Sequence, residues 1–247
     1  MEKLSNQPRE VAPPLTLEQE KLMKKPTPTG GLLAGESAGY VLERRMDISN
    51  YIEVFNQPPP VMYSRQELLL DWIEDNELTW SSMKSLNSNE AIWVQKNHGN
   101  WHYNNIWVRA SNNRYRNVLK EHARHYRLSS LDLETIDADH VVNRARLANH
   151  PDAWVMLFPV HWESNRPFGS RIERQLEPLA TNIDSLGMEP IVLLKVLSAT
   201  LPTRQSEMDR CIADVLAQIN CSNQLARKFW ADMFKEAIEE SFPELAN

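Results

Sequence analysis

The run Ile136–Arg144, IDADHVVNR, sets an acid, Asp139, directly beside a histidine, His140, at the edge of an apolar stretch. The pair is either half of a metal site or a histidine held in a turn, because carboxylates and imidazoles serve equally as cation ligands and as hydrogen-bond partners. His122 and His125, with Arg124 between them, stand at a helical i, i+3 spacing that suits a shared metal ion; a solvated basic face is the commoner use of such a pattern. Asn97–Tyr103, NHGNWHY, together with Trp93, Trp107 and Tyr115, offers rings on which nucleic-acid bases can stack or which can fill a core. The two cysteines, Cys211 and Cys221, form no C-x-x-C pair, which leaves no disulfide framework and no cysteine zinc clip.

The elements that must carry these side chains are read from periodicity and punctuation. Trp154–Val160, WVMLFPV, is a short apolar run rich in β-formers, and IDADHVV is a second strand pattern, the two separated by the polar loop NRARLANHPDA. SNRPFGSRIERQLEPL then reads as a helix that Pro178 must end or kink. Around this strand, loop, strand, helix order the chain reads as helical, helped by a glycine count of only 7. Ser64 and Glu67 form a capping-box pattern ahead of a helix with Leu68, Leu69, Trp72 and Ile73 inside. Residues 112–126 read as a basic helix with Tyr115, Val118, Leu119 and Ala123 inward. Two closing helices follow, at 208–220 and at 223–241, the last with Leu225, Phe229, Met233, Phe234 and Ala237 inward.

Composition bounds the rest. A chain of 247 residues with 42% hydrophobic and 24% charged residues can bury a core and is not disordered throughout. More than half of its 15 prolines precede Val61, so residues 1–60 are expected to form a proline-rich, partly disordered arm. Within it, Thr16 and Gln19 suggest one short helix, and AGYVLERRMDISNYIEVF is a segment able to order against the body. Residues 61–247 then form the main domain. The net charge of −6 argues against a general nucleic-acid coat, yet Lys96–Arg127 holds seven cations against the single acid Glu121. No apolar run reaches membrane-spanning length and the N-terminus lacks a signal-peptide core, so a cytoplasmic start is expected.

In order and spacing, Asp139-His140, then Pro151-Asp152-Ala153-Trp154-Val155-Met156-Leu157, then Asn165-Arg166-Pro167-Phe168-Gly169 resemble the ββα-metal nucleases, the HNH or His-Me finger family. The resemblance covers residues 134–178. It implies an α+β fold, predominantly helical, with a small ββα-metal finger embedded among helices. It also implies a metal-dependent endonuclease acting on DNA, with RNA the lesser expectation. In that reading His140 activates water, Asp152 takes the position that orients the loop, and Asp139 with Asn165 holds a divalent ion; His161 is the alternative third ligand. The ion would be Mg²⁺, with Mn²⁺, Ni²⁺ or Zn²⁺ as alternatives, and would polarise the scissile phosphate. Arg144, Arg146, Arg166 and Arg171 flank the motif as phosphate-binding forks. The chain departs from the family at Asp152, where an asparagine is usual, at Phe168, where a lysine is usual, and in lacking a zinc knuckle.

The arm ahead of such a finger is similar in architecture to bacterial toxins and effectors secreted without a signal peptide. That similarity implies a cognate immunity protein and a secretion or adaptor partner for residues 1–60. The competing expectation is a nonenzymatic helical interaction or adaptor protein, in which His140 is dispensable. A DNA-binding regulator ranks last because no helix-turn-helix can be placed.

Overall fold

The computed structural model describes residues 36–84, 86–96, 102–125, 135–197, 199–219 and 224–242. In chain order the elements are α1 (Glu36–Phe55), β1 (Pro60–Tyr63), α2 (Gln66–Asp75), β2 (Thr79–Ser82), β3 (Ala91–Lys96), β4 (Tyr103–Arg109) and α3 (Tyr115–His125). They continue with β5 (Ile136–His140), β6 (Trp154–His161), α4 (Trp162–Arg171), a 3₁₀ turn (Glu173–Gln175), β7 (Ser185–Gly187), α5 (Pro190–Val196), α6 (Gln205–Leu216) and α7 (Gln224–Ser241).

The seven strands form one curled antiparallel sheet, ordered β2-β3-β4-β6-β1-β7 with β5 also on β6. This corrects the expectation of a predominantly helical fold with a small finger. Helix takes 48% and strand 20% of the described residues, and the strands form the central layer. The physical reason lies in β6, whose eight residues WVMLFPVH are all buried because helices cover both faces of the sheet at this strand. Leu157 faces Ile106 of β4 and His140 of β5, while Val155 faces Val108 of β4 and Met62 of β1, so β1 and β5 share the edge opposite β4. Pro159 is tolerated in this strand. Val141 N donates to Met156 O, which sets hydrogen-bonded pairs at 139/158 and 137/160 and turns the proline nitrogen away from β5, beyond the last residue that β4 pairs.

Helices cover both faces of the sheet. α1, from the second half of the proline-rich segment, buries Tyr40, Val41, Ile48, Tyr51 and Ile52 against β4 and β6. It ends where Asn56 adopts the left-handed conformation (φ 50°) and Pro58 follows. The short helix expected near Thr16 lies outside the described residues. α3 lies against β4, β5 and β6, burying Val118, Leu119 and Ala123 as expected while Arg116, Lys120 and Arg124 face solvent. α4 packs on β5 and β6, α5 on β6, and α6 and α7 are bound to the rest through α5 and each other. Among the described residues no helix is long and apolar enough to cross a membrane.

Two local expectations are corrected. The N-cap of α2 is Arg65, and the Ser64 hydroxyl donates instead to Asp184 Oδ1 at 3.3 Å, so no capping box forms. α7 is rotated from the expected register: Trp230, Phe234, Ala237 and Ile238 are buried, whereas Leu225 and Phe229 are 75% and 51% exposed.

Candidate functional site

Strand alternation decides what β5 can do. Its burial runs buried, half-buried, buried, half-buried, buried, so Ile136, Ala138 and His140 face one layer and Asp137 and Asp139 the other. Asp137 and Asp139 look toward α4 and α5. Lys195 of α5 is completely buried, its Nζ 2.6 Å from Asp139 Oδ2 and also donating to Glu173 Oε1 in the 3₁₀ turn after α4. Burial pushes the Asp139 carboxyl up to about 6, opposed by the Lys195 ammonium and reinforced by the Glu173 charge. Burial alone would lower the Lys195 pKa, but the two carboxylates outweigh it and hold the ammonium above its ordinary value. Asn165 Nδ2 donates to Asp137 Oδ2 at 3.2 Å, and Arg166 Nε lies 3.8 Å from the same oxygen, with its guanidinium 4.9 Å from the centre of the Trp162 ring.

Of these groups, Asp139, Glu173, Asn165, Arg166 and Trp162 line one open cleft of about 820 Å³ along α4. Asp139, Asn165, Arg166 and Arg171 are thus brought together, joined by Asn143, Glu163, Glu173 and Arg174. Gly169 borders the cleft, and a Cβ there would meet nothing closer than Glu173 Oε2 at 3.8 Å, so packing does not demand the motif's glycine.

The remaining expected residues are held elsewhere. His140 packs edge-on against Tyr115 of α3, ring centres 4.6 Å apart, with Nε2 buried and without a hydrogen-bond partner. Burial, then the positive charges of Arg144 and Lys195, pull its pKa down to about 4. It is neutral at physiological pH but turned away from the cleft. Asp152 is an exposed partner of Arg109 at the far end of β6 and does not orient His140. Arg144 donates to Asn112 O and lies over the Tyr115 ring, while Arg146 is buried in a two-pronged ion pair with Glu189; neither lines the cleft. His161 caps α4, its Nδ1 accepting from Glu163 N at 3.3 Å.

His122 and His125 do not share a metal either. His122 is fully buried, with Nδ1 2.7 Å from Tyr40 Oη and Nε2 3.0 Å from Asn104 Oδ1, and burial lowers its pKa well below the usual imidazole value. His125 lies against Trp93, ring centres 4.7 Å apart. The stretch 97–101, expected as part of a stacking surface, lies outside the described residues; Trp107 is core, with 0% exposure.

A divalent metal does not fit the observed donor set. Asp139 and Glu173 are already balanced by the Lys195 ammonium, and no group of three His, Cys, Asp or Glu able to hold an ion occurs among the described residues. Lys195 and Glu173 were missed in the sequence. The available signal was Lys195 as the lone charge within IVLLKVL, a place where a cation must be paired if the helix is buried.

No protein-family model, curated protein or solved structure matches the chain.

Proposed function

We propose that the chain binds the phosphodiester backbone of nucleic acid, DNA ahead of RNA, in the cleft along α4. The observation that carries this reading is the clustering of Asn165, Arg166 and Arg171 of α4 and Arg174 of the following turn, joined by Asn143 from the loop after β5, along one open cleft. Arginine forks suit phosphate oxygens, amide side chains can donate to them, and Trp162 beside Arg166 offers a flat surface for a sugar or base. Asp139 and Glu173 lie at the cleft, and their partnership with Lys195 offsets part of the repulsion they would exert on a polyanion. Of the nuclease reading, binding is the part that this geometry supports. No hydrolytic step is derived, because His140 faces the other layer and Asp139 is engaged by Lys195.

The test is fluorescence anisotropy with duplex DNA, single-stranded DNA and RNA across a salt series, comparing wild type with Arg166→Ala/Arg174→Ala. Both arginines are exposed, so the fold should tolerate the change. The variant should bind more weakly and lower the slope of log affinity against log salt by about 2. Equal binding by the variant, or no binding of any polymer by wild type, would sink the proposal. Metal-dependent cleavage of the same probes would add the endonuclease activity that the resemblance implies.

A second reading, an interaction protein, is favoured by Leu225 and Phe229, which stand exposed one helical turn apart on α7. It takes first place if wild type binds no nucleic acid.

A further inference from the structure

The buried lysine carries an inference of its own, independent of whether nucleic acid is bound. α5, PIVLLKV, buries Ile191, Val192, Leu193, Leu194 and Val196 together with Lys195, whose exposure is 0%. A long charged side chain is almost never fully buried unless paired, because desolvating an ammonium is costly. Here the partners arrive from two other elements: Asp139 from β5, 2.6 Å away, and Glu173 from the 3₁₀ turn that follows α4. Three elements therefore meet at one positive charge. Asp139 and Glu173 border the cleft beside Asn143 and Asn165, while Lys195 lies behind them, out of contact with solvent. Two carboxylates converging on one central positive charge form a pairing that a cation must balance, and here the ammonium does so.

We propose that Lys195 is a built-in cation that takes the place of a divalent metal, tying β5, α4 and α5 together and keeping the cleft formed without an ion. An ammonium supplied by the chain is always present, so the site is insensitive to metal supply and to chelators.

The experiment uses the full chain. Wild type should melt at the same temperature in EDTA and in millimolar Mg²⁺ or Mn²⁺. Lys195→Met keeps the apolar stem but leaves Asp139 and Glu173 facing each other unbalanced. It should melt lower in EDTA, regain roughly 5 °C or more in millimolar Mn²⁺, and lose that gain in Lys195→Met/Asp139→Asn. A folded Lys195→Met protein whose melting ignores metal overturns the proposal. If Lys195→Met does not fold in either buffer, titration of wild type with Mn²⁺, followed by the paramagnetic resonance signal of the free ion, decides the matter. Absence of any binding that depends on Asp139 supports the built-in cation; binding abolished by Asp139→Asn overturns it.

Discussion

Asp139 and His140 are chain neighbours with opposite surroundings: Asp139 is ion-paired to Lys195 beneath the α4 cleft, and His140 is packed against Tyr115 of α3 across the sheet. Replacing either residue should therefore give different phenotypes. Asp139→Asn should disturb the cleft and alter nucleic-acid affinity. His140→Leu should leave affinity within about twofold while changing stability, because its ring packs against Tyr115 on the face of β5 opposite Asp139. Anisotropy titrations of both variants check this, and a large loss of binding in folded His140→Leu would contradict it.

The pH dependence of His140 has a definite sign. Its pKa is about 4 in the folded chain against an ordinary 6.5, so as pH falls the unfolded chain takes up the proton first. The stability this represents is whole above pH 6.5 and is lost as pH falls toward 4, to the extent of about 3 kcal/mol at most. Asp47 and Asp139, pushed up to about 7 and about 6 by burial, act in the opposite direction over the same range. The measurement is thus a difference. Urea unfolding of wild type and His140→Leu between pH 4 and 8 should show wild type losing more stability than the variant on acidification.

Arg146 and Arg166, both expected at the sequence level to hold phosphates, should separate cleanly. Arg146 is buried and Glu189 half-buried, so Arg146→Ala leaves a carboxylate without its partner and should cost about 2–3 kcal/mol in chemical denaturation. The Arg166 side chain is 64% exposed, and Arg166→Ala should change stability by no more than about 0.5 kcal/mol while weakening nucleic-acid binding. Equal destabilisation by the two would count against this division.

On α7, Phe234→Ala should cost about 3–5 kcal/mol, because Phe234 is completely buried beside Trp230. Phe229→Ala, one position ahead of Trp230 on the exposed flank, should cost about 1 kcal/mol or less. Thermal and urea melts of the pair test the rotated register of this helix.

Tyr40→Phe removes the hydroxyl 2.7 Å from His122 Nδ1 and leaves a buried imidazole nitrogen short of that partner. A loss of about 1–2 kcal/mol is expected in urea unfolding. An unchanged midpoint would mean that the Tyr40 hydroxyl contributes nothing to holding α1 in place.

The strand, loop, strand, helix order around Asp139 was legible because apolar runs, polar breaks and β-formers mark it locally. The wider sheet was harder to see. AIWVQK and YNNIWVR contain the β-branched and aromatic residues of strands, but their aromatics read equally well as a stacking surface, and the strand that joins their hairpin to the rest of the sheet, β6, lies far along the chain. β1 gave a weaker local signal still, since its four residues acquire their order from β6 and β7. The side-chain sorting within the motif needed the pleat. Asp139 beside His140 looks like one constellation in a linear sequence, and only alternation across a paired strand assigns them to different layers. Lys195 stood out locally only as the lone charge within IVLLKVL, and nothing local names the partners that neutralise it, 22 and 56 positions upstream (195 − 173 and 195 − 139). The exposed flank of α7 escaped for a related reason: Leu225 and Phe229 fit an apolar helical stripe, and only the packed helix shows which arc of that stripe is turned inward.

The position of β6 also sets a timetable for synthesis. Met62 and Tyr63 must wait for Val155 and Trp154, and β4 and β5 close onto the same late strand. Until the ribosome has released residues 154–161, a nascent chain holds β3 and β4 as a hairpin with an open apolar edge and β1 with no partner. Such long-range closure makes folding slow and leaves strand edges exposed meanwhile. A chain stopped short of Trp154 would lack the strand on which β1, β4 and β5 meet, and would be a substrate for chaperones or proteases rather than a smaller stable protein.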